Sequence, residues 1–235
     1  MMSKNINDLS DEEIIKLQYE IQKQAEINAL QSLSNLETAL GVAVNKLVNE
    51  GWTLPAKLPI SAINALGKTS ELDDVNSFMK VFYLEDDSKK LQSLIHSIQN
   101  SKIKSGLIGI VEECWIAYQH QLYAICAISL LAVIEGVLSE FSANKKNTNM
   151  KDVCSKYIAS ISESESIIIK NVWHSYEQFV SKLYESSNFN DIEPPNINRH
   201  WLLHGRSSFD VDEVDCIRLF NAIHSLCVIK NNTAI

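Results

Sequence analysis

The sequence predicts an all-α protein, and three features support that fold class. Hydrophobic residues make up 46% of the 235-residue chain, enough for a substantial core. Many of them recur at three- and four-residue steps, the period of a helix with one apolar face. The chain has only 7 glycines and 4 prolines, fewer than an all-β or loop-rich protein normally needs.

The first predicted element is a long helix over residues 10–49. Ser10 and Glu13 have the spacing of a capping box, and Gly51 follows the end of the helix. A helix of this length spans about 60 Å, so it either packs along a large body or pairs with a partner helix. Its apolar stripe consists of Leu17, Ile21, Ala25, Leu30, Leu33, Leu36, Leu40, Val44 and Leu47.

A connector and three short helices follow. Pro55 and Pro59 make residues 52–60 an extended segment, whose tryptophan and leucines we expect to pack on the body. Ser70 and Asp87 are predicted N-caps. The short helices are predicted at about 61–66, 70–83 and 87–101.

The pattern of apolar residues along the sequence changes near residue 104, where we place a domain boundary. It divides the chain into an N-terminal helical region, residues 1–104, and a second helical domain, residues 105–235. Asp210 and Glu213 predict a capping box for the last helix, which extends to about Lys230. The other helices are predicted at 106–120 and 122–142, as a pair or one kinked helix, and at 150–160, 166–186 and 198–204.

Charge restricts the function classes. The net charge of −8 argues against a general nucleic-acid coat protein, which would be basic. RNA would therefore bind only through a local basic pocket. The only arginines are Arg199, Arg206 and Arg218, and the planar fork of arginine is well suited to phosphate.

The cysteines and the N-terminus predict a cytoplasmic protein. Five cysteines without a CxxC pair, and a start without an apolar segment, favour a reducing compartment. Residues 122–138 are nearly all apolar but shorter than the ~20 residues of a membrane span, and Glu135 interrupts them. We interpret them as a buried central helix. The cysteines expected in the core are Cys114, Cys126, Cys216 and Cys227.

Residues 198–205 carry the groups that RNA cleavage needs. The imidazole of His204 can take a proton from a ribose 2′-hydroxyl, because its pKa lies near working pH. Arg199 can stabilise the extra charge on phosphorus. Residues five apart on a helix point about 140° apart. The two side chains therefore share a site only if Arg199 precedes the helix or if a second copy completes the site.

Glu135 is the only charged residue in its apolar segment, so it needs a partner, and Arg199 is the first choice. Two other interpretations stay open. One is purely structural, with Arg199 as a stabilising partner and His204 packed at a helix end. The other is a zinc site, because His200 and His204 are four residues apart and His224 or an acidic residue could fold back as a third ligand.

These residues resemble the HEPN-domain family, whose motif is R-x4-6-H. The segment Asn-Arg-His-Trp-Leu-Leu-His-Gly at 198–205 is similar to the NRHxxLHG form of uncharacterised bacterial HEPN-like proteins. Residues 130–136 resemble their LxxxIEG helix, and residues 51–55 resemble the connector before it. The resemblance covers at least residues 105–230.

The resemblance implies a HEPN-like helical bundle that dimerises through its motif-bearing helices. It implies RNA cleavage without a metal or other cofactor, leaving cyclic-phosphate ends. Family roles include abortive infection, toxin–antitoxin modules and phage defence. We expect an antitoxin or defence partner to use the long N-terminal helix. Some family members are non-catalytic interaction or sensing modules, and that alternative stays open.

The resemblance also assigns roles to single residues. Arg199 would bind and stabilise phosphate, and His204 would act as acid and base. His200 would assist with polar contacts, and Glu135 would orient Arg199. Asn198 and Arg206, on either side of the motif core, are expected to bind substrate.

Overall fold

Helices form all the regular secondary structure in the part of the chain that the structure describes, which confirms the all-α prediction. The computed structural model describes residues 10–68, 75–142, 149–162, 165–186, 188–208 and 210–232. Its helices are α1 (Asp11–Asn49), α2 (Ile60–Lys68), α3 (Val75–Gln99), α4 (Ser105–Gln119), α5 (Tyr123–Glu140), α6 (Met150–Ser160), α7 (Ile167–Leu183), α8 (Arg199–Leu203) and α9 (Glu213–Asn232).

The long helix α1 begins at the predicted capping box. The Glu13 N–H donates to Ser10 Oγ at 3.3 Å, and the Ser10 N–H donates to Glu13 Oε2 at 2.9 Å. Only the last part of the helix is buried, with Leu40 and Leu47 fully enclosed by α2 and α7. Residues 15–35 are exposed along their whole length. Thus α1 packs on the body with one end and extends from it with the other.

The connector between α1 and α2 packs inside the body, as predicted. Trp52 and Leu54 are at most 1% exposed. The Leu54 N–H donates to Ser175 Oγ of α7 at 2.9 Å, and Asn221 Nδ2 of α9 donates to the Thr53 carbonyl at 2.9 Å. These bonds satisfy connector backbone groups that no helix or sheet can satisfy.

The break predicted inside α3 is present at residues 85–88. Asp86, Asp87 and Ser88 have φ values of 52°, 55° and 60°, so three consecutive residues adopt a left-handed backbone. The prediction of Asp87 as an N-cap is wrong, because an N-cap residue has extended backbone. Ser70, the other predicted cap in this region, lies outside the described residues.

The helices α4 and α5 are two separate helices that pack as a pair. Of the two predicted arrangements, the pair is therefore present and the single kinked helix is not. Gln121, with φ 59°, lies in the turn between them. Gly136 permits their close approach, since a Cβ there would lie 2.7 Å from Leu107 Cδ2 of α4.

Among the described helices, α5 alone is long and apolar enough to cross a membrane. Buried core helices meet the same criteria, and α5 packs against α4 and α9.

The start of α9 differs from its prediction by two residues. The Asp215 N–H donates to Asp212 Oδ1 at 3.0 Å, and the Asp212 N–H donates to Asp215 Oδ2 at 3.1 Å. The reciprocal cap therefore uses Asp212 and Asp215, whereas Asp210 and Glu213 were predicted. Tyr118 donates instead to Glu213 Oε1, at 3.2 Å.

The two halves of the chain share one hydrophobic core. Its buried residues extend from Leu40 to Ile229, and α1 packs on α7 while α3 packs on α9. The boundary expected near residue 104 therefore does not separate two cores within the described ranges. The four cysteines expected in the core are buried, and so is Cys154.

Candidate functional site

The motif forms the five-residue helix α8 between two caps. Asn198 Oδ1 accepts from the N–H groups of His200 at 2.9 Å and Trp201 at 3.2 Å. Gly205 follows the helix with φ 62°, a conformation that glycine adopts without strain. The predicted short helix and its glycine stop are confirmed.

Asn198 is a structural residue, contrary to the expectation that it binds substrate. Its side-chain nitrogen donates to the carbonyl oxygens of Lys182 at 3.4 Å and Glu185 at 2.9 Å, near the end of α7. The residue is 1% exposed. Both amide hydrogens and the carbonyl oxygen are thus occupied, which leaves no group to offer a ligand. Asn198 positions α8 against α7.

Trp201 anchors α8 in the body, while its neighbours stay accessible. The Trp201 side chain is 7% exposed. His200 is half-buried, and His204 and Arg206 are exposed. The indole therefore fixes the helix, and the histidines on either side of it remain open to solvent.

Arg199 pairs with Glu135, as the lone carboxylate in the apolar segment predicted. Its Nε donates to Glu135 Oε1, and both side chains are partly exposed. Its guanidinium carbon also lies 5.6 Å from the centroid of the Tyr184 ring. The two terminal nitrogens of Arg199 make no hydrogen bond to any residue that the structure describes, so they can bind an anion.

Tyr184 completes this group. Its hydroxyl oxygen is buried, and it forms no hydrogen bond of normal geometry within the described part of the chain. Burial first, and then the negative charge of Glu135, raise the pKa of Tyr184. Tyr184 is therefore neutral at physiological pH and leaves the negative charge of the group to Glu135.

The two histidines of the motif lie together around one aromatic ring. The His200 ring stacks on Phe189, with centroids 4.6 Å apart and an interplanar angle of 2°. The His204 ring meets the Phe189 ring at 5.8 Å and the His200 ring at 4.7 Å, both roughly edge to face. Phe189 thus fixes the direction of both imidazoles.

Arg206 joins the histidines, on the same side of α8. Its guanidinium carbon lies 5.2 Å from the Phe189 centroid, and its N–H donates to the Trp201 carbonyl at 2.9 Å. The guanidinium makes no ion pair with any described residue. Two imidazoles and an available positive charge therefore surround Phe189.

Glu193 joins the loop before α8 to the loop after it. It accepts from Ser207 Oγ at 2.6 Å and from the Ser208 N–H at 2.7 Å. Partial burial raises its pKa, but the hydrogen bonds from the two serines outweigh that effect and lower it overall. The charged form of Glu193 therefore holds both loops, and with them Phe189 and Arg206, near α8.

Arg199 and His204 face different neighbours within one protomer. Arg199 is the first residue of α8 and pairs with α5, whereas His204 packs on Phe189. The single-protomer alternative required Arg199 to precede the helix, and it does not. One protomer therefore presents an arginine group and a histidine group separately.

Two other predicted candidates belong to the structural core. His224 is 4% exposed, and its Nε2 lies 3.2 Å from Ser97 Oγ. No described residues form a group of three or more side chains able to hold a metal. The described part of the chain thus offers the zinc alternative no third ligand. Arg218, whose side chain is 11% exposed, pairs with Asp215 and donates to Asn76 Oδ1 at 2.8 Å.

Sequence reasoning missed Phe189 and Tyr184. The available signal for Phe189 was a single aromatic residue in the polar segment 185–191, shortly before the motif. Tyr184 gave no comparable signal, because it continues the apolar face of α7.

Comparison of the chain with protein-family models, curated proteins and solved structures gave no match.

Proposed function

We propose that this protein is a metal-independent endoribonuclease of the HEPN type, acting as a cytoplasmic homodimer in bacterial defence, abortive infection or a toxin–antitoxin system. The observation that carries the proposal is the content of α8. The helix begins with an arginine aimed by Glu135 and ends at an exposed histidine that packs against a second one. The arginine can bind phosphate, and the two imidazoles can exchange protons with the RNA.

The proposed reaction is attack of a ribose 2′-oxygen on the adjacent phosphorus. His204 accepts the 2′-hydroxyl proton while the 2′-oxygen–phosphorus bond forms. The bond between phosphorus and the 5′-oxygen breaks, and His204 passes the proton on to that oxygen, while His200 assists with polar contacts. The products are a 2′,3′-cyclic phosphate and a 5′-hydroxyl. Arg199 and Arg206 stabilise the charge on the phosphate oxygens.

An exposed apolar face of α5 supports the dimer. Ile125 and Ile128 are 61% and 41% exposed, and Ala132 on the same face is exposed too. This face leads directly to Glu135, about 10 Å along the helix from Ile128. A second copy packed there by two-fold symmetry brings two Arg199–Glu135 pairs to one interface, so that each copy contributes to a shared site.

The decisive experiment is RNA cleavage by the purified protein in EDTA. We expect R199A and H204A to lower the rate at least about 100-fold, the usual loss for an electrostatic or acid–base group. Both should keep the wild-type circular dichroism spectrum. H174A is the matched control, because His174 is exposed and lies about 15 Å along α7 from Tyr184. Undiminished cleavage by both variants rejects the proposal.

A second candidate function rests on α1. Residues 15–35 expose Ile15, Ile21 and Leu33, which suits a non-catalytic interaction module that docks a partner such as an antitoxin. Deleting residues 1–35 spares the buried end of α1 and should abolish partner binding, whereas R199A should not. Expression in bacteria separates the two functions. If the protein is a nuclease, the wild type slows growth and H204A does not. If it is an interaction module, the wild type and H204A affect growth equally.

A further inference from the structure

A pocket of about 330 Å³ lies apart from α8 and shares no residue with its site. The connector before α2, both halves of α3, and α9 line it. Pro55, Pro59 and Phe82 give it apolar walls, and Tyr83 and Leu94 lie deeper. Such a volume holds a small molecule and is too small for a folded polynucleotide.

Three lysines surround this apolar lining. Lys90 pairs with Glu85 and lies 4.8 Å from the centroid of Phe82. Lys57 and Lys89 are exposed and form no ion pair with any residue in the described ranges. The pocket therefore carries two positive charges that the structure does not neutralise.

His224 adds a polar group at the inner end. It is 4% exposed, and its Nδ1 makes no hydrogen bond to a described residue, while its Nε2 lies near Ser97. Burial, assisted by the charge of Lys57, lowers the pKa of His224 to about 4. The imidazole is neutral at physiological pH, so it offers a hydrogen bond and no charge.

We propose that this pocket binds a small organic anion with a flat apolar part. Its carboxylate, sulfonate or phosphate contacts Lys57 and Lys89, and its apolar part lies against Phe82 and the two prolines. An inorganic anion uses none of the apolar wall, and a neutral apolar molecule leaves both ammonium groups unpaired. The combination of walls and charges favours a ligand with both parts.

The test is a titration of the isotope-labelled protein with anilinonaphthalene sulfonate, followed by amide chemical shifts. We expect saturable shifts at Lys57, Tyr83 and Leu94. The K57A/K89A variant should bind the probe about tenfold more weakly. S93W, which fills the pocket from an exposed position, should abolish these shifts. K156A, an exposed lysine on α6, is the matched control and should bind as the wild type does.

Competition identifies the ligand chemistry. Phenyl phosphate and octyl phosphate carry the same phosphate group on a flat and on a flexible apolar part, and the flat compound should compete more strongly. Inorganic phosphate at equal concentration should not displace the probe. Shifts confined to the exposed part of α1, or equal affinity in K57A/K89A and wild type, overturn the proposal.

Discussion

Glu135 of α5 and Arg199 of α8 form an ion pair between residues 64 positions apart in the chain. The pair satisfies Glu135, the one charged residue of the apolar segment 122–138, and fixes the arginine at the start of the motif. Only Nε of Arg199 is used in this pair, and its two terminal nitrogens make no hydrogen bond to a described residue. The contact with Glu135 therefore stabilises the fold and also positions Arg199, the residue proposed to bind phosphate.

Replacing Glu135 by glutamine tests this positioning role. E135Q keeps the side-chain size but removes the charge, so we expect RNA cleavage to fall about tenfold through kcat, because Arg199 loses its fixed direction. In the double variant E135Q/R199A, cleavage should be no slower than in R199A. Additive losses in the double variant would show that Glu135 acts independently of Arg199.

Replacing Asn198 should affect stability before chemistry. N198A removes the N-cap of α8 and two donors to α7, so the free energy of unfolding should fall by about 1–2 kcal/mol in urea denaturation. N198D keeps the cap but loses the donors, and an intermediate loss is expected. A variant with unchanged stability and weakened RNA binding would restore the substrate-binding role that the structure argues against.

The apolar face of α5 should control dimerisation. I128D places a charge in the proposed interface, so sedimentation should show a dissociation constant at least about 100-fold higher, with a parallel loss of cleavage. V81D is the control, because Val81 is 61% exposed on α3 and outside this face. An I128D protein that stays dimeric and active would place the interface elsewhere.

His224 should make stability depend on pH. Its pKa is about 4 in the fold and about 6.5 when unfolded, so between these values the unfolded chain binds more protons. Stability is therefore complete above about pH 6.5 and is lost as pH falls towards 4, by roughly 2–3 kcal/mol at pH 4.5. The difference in urea-unfolding free energy between pH 7 and 4.5 should shrink by that amount in H224Q. An equal difference in both proteins would mean that His224 is not held neutral.

Local signals made several elements predictable. The start of α1 depends on the contact of Ser10 with Glu13, three residues away, and α8 ends because Gly205 adopts positive φ. Each signal operates within one helical turn, so neighbouring residues suffice to specify it. The Glu135–Arg199 pair was predictable for another reason: a lone charge in the apolar segment 122–138 requires a partner, and the chain offers three arginines.

Tertiary packing decided the rest. Two candidate caps precede α9, and the one that forms joins Asp212 to Asp215, which is buried and pairs with Arg218. The sequence of α1 does not show where the body ends and the exposed helix begins. Phe189 meets the histidines, and Asn198 meets the carbonyls of α7, only because segments more than ten residues apart pack together. The sequence thus determined the helices and the chemistry of the motif, since these depend on near neighbours. The fold determined which side chains are buried, because burial depends on contacts between segments far apart in the chain.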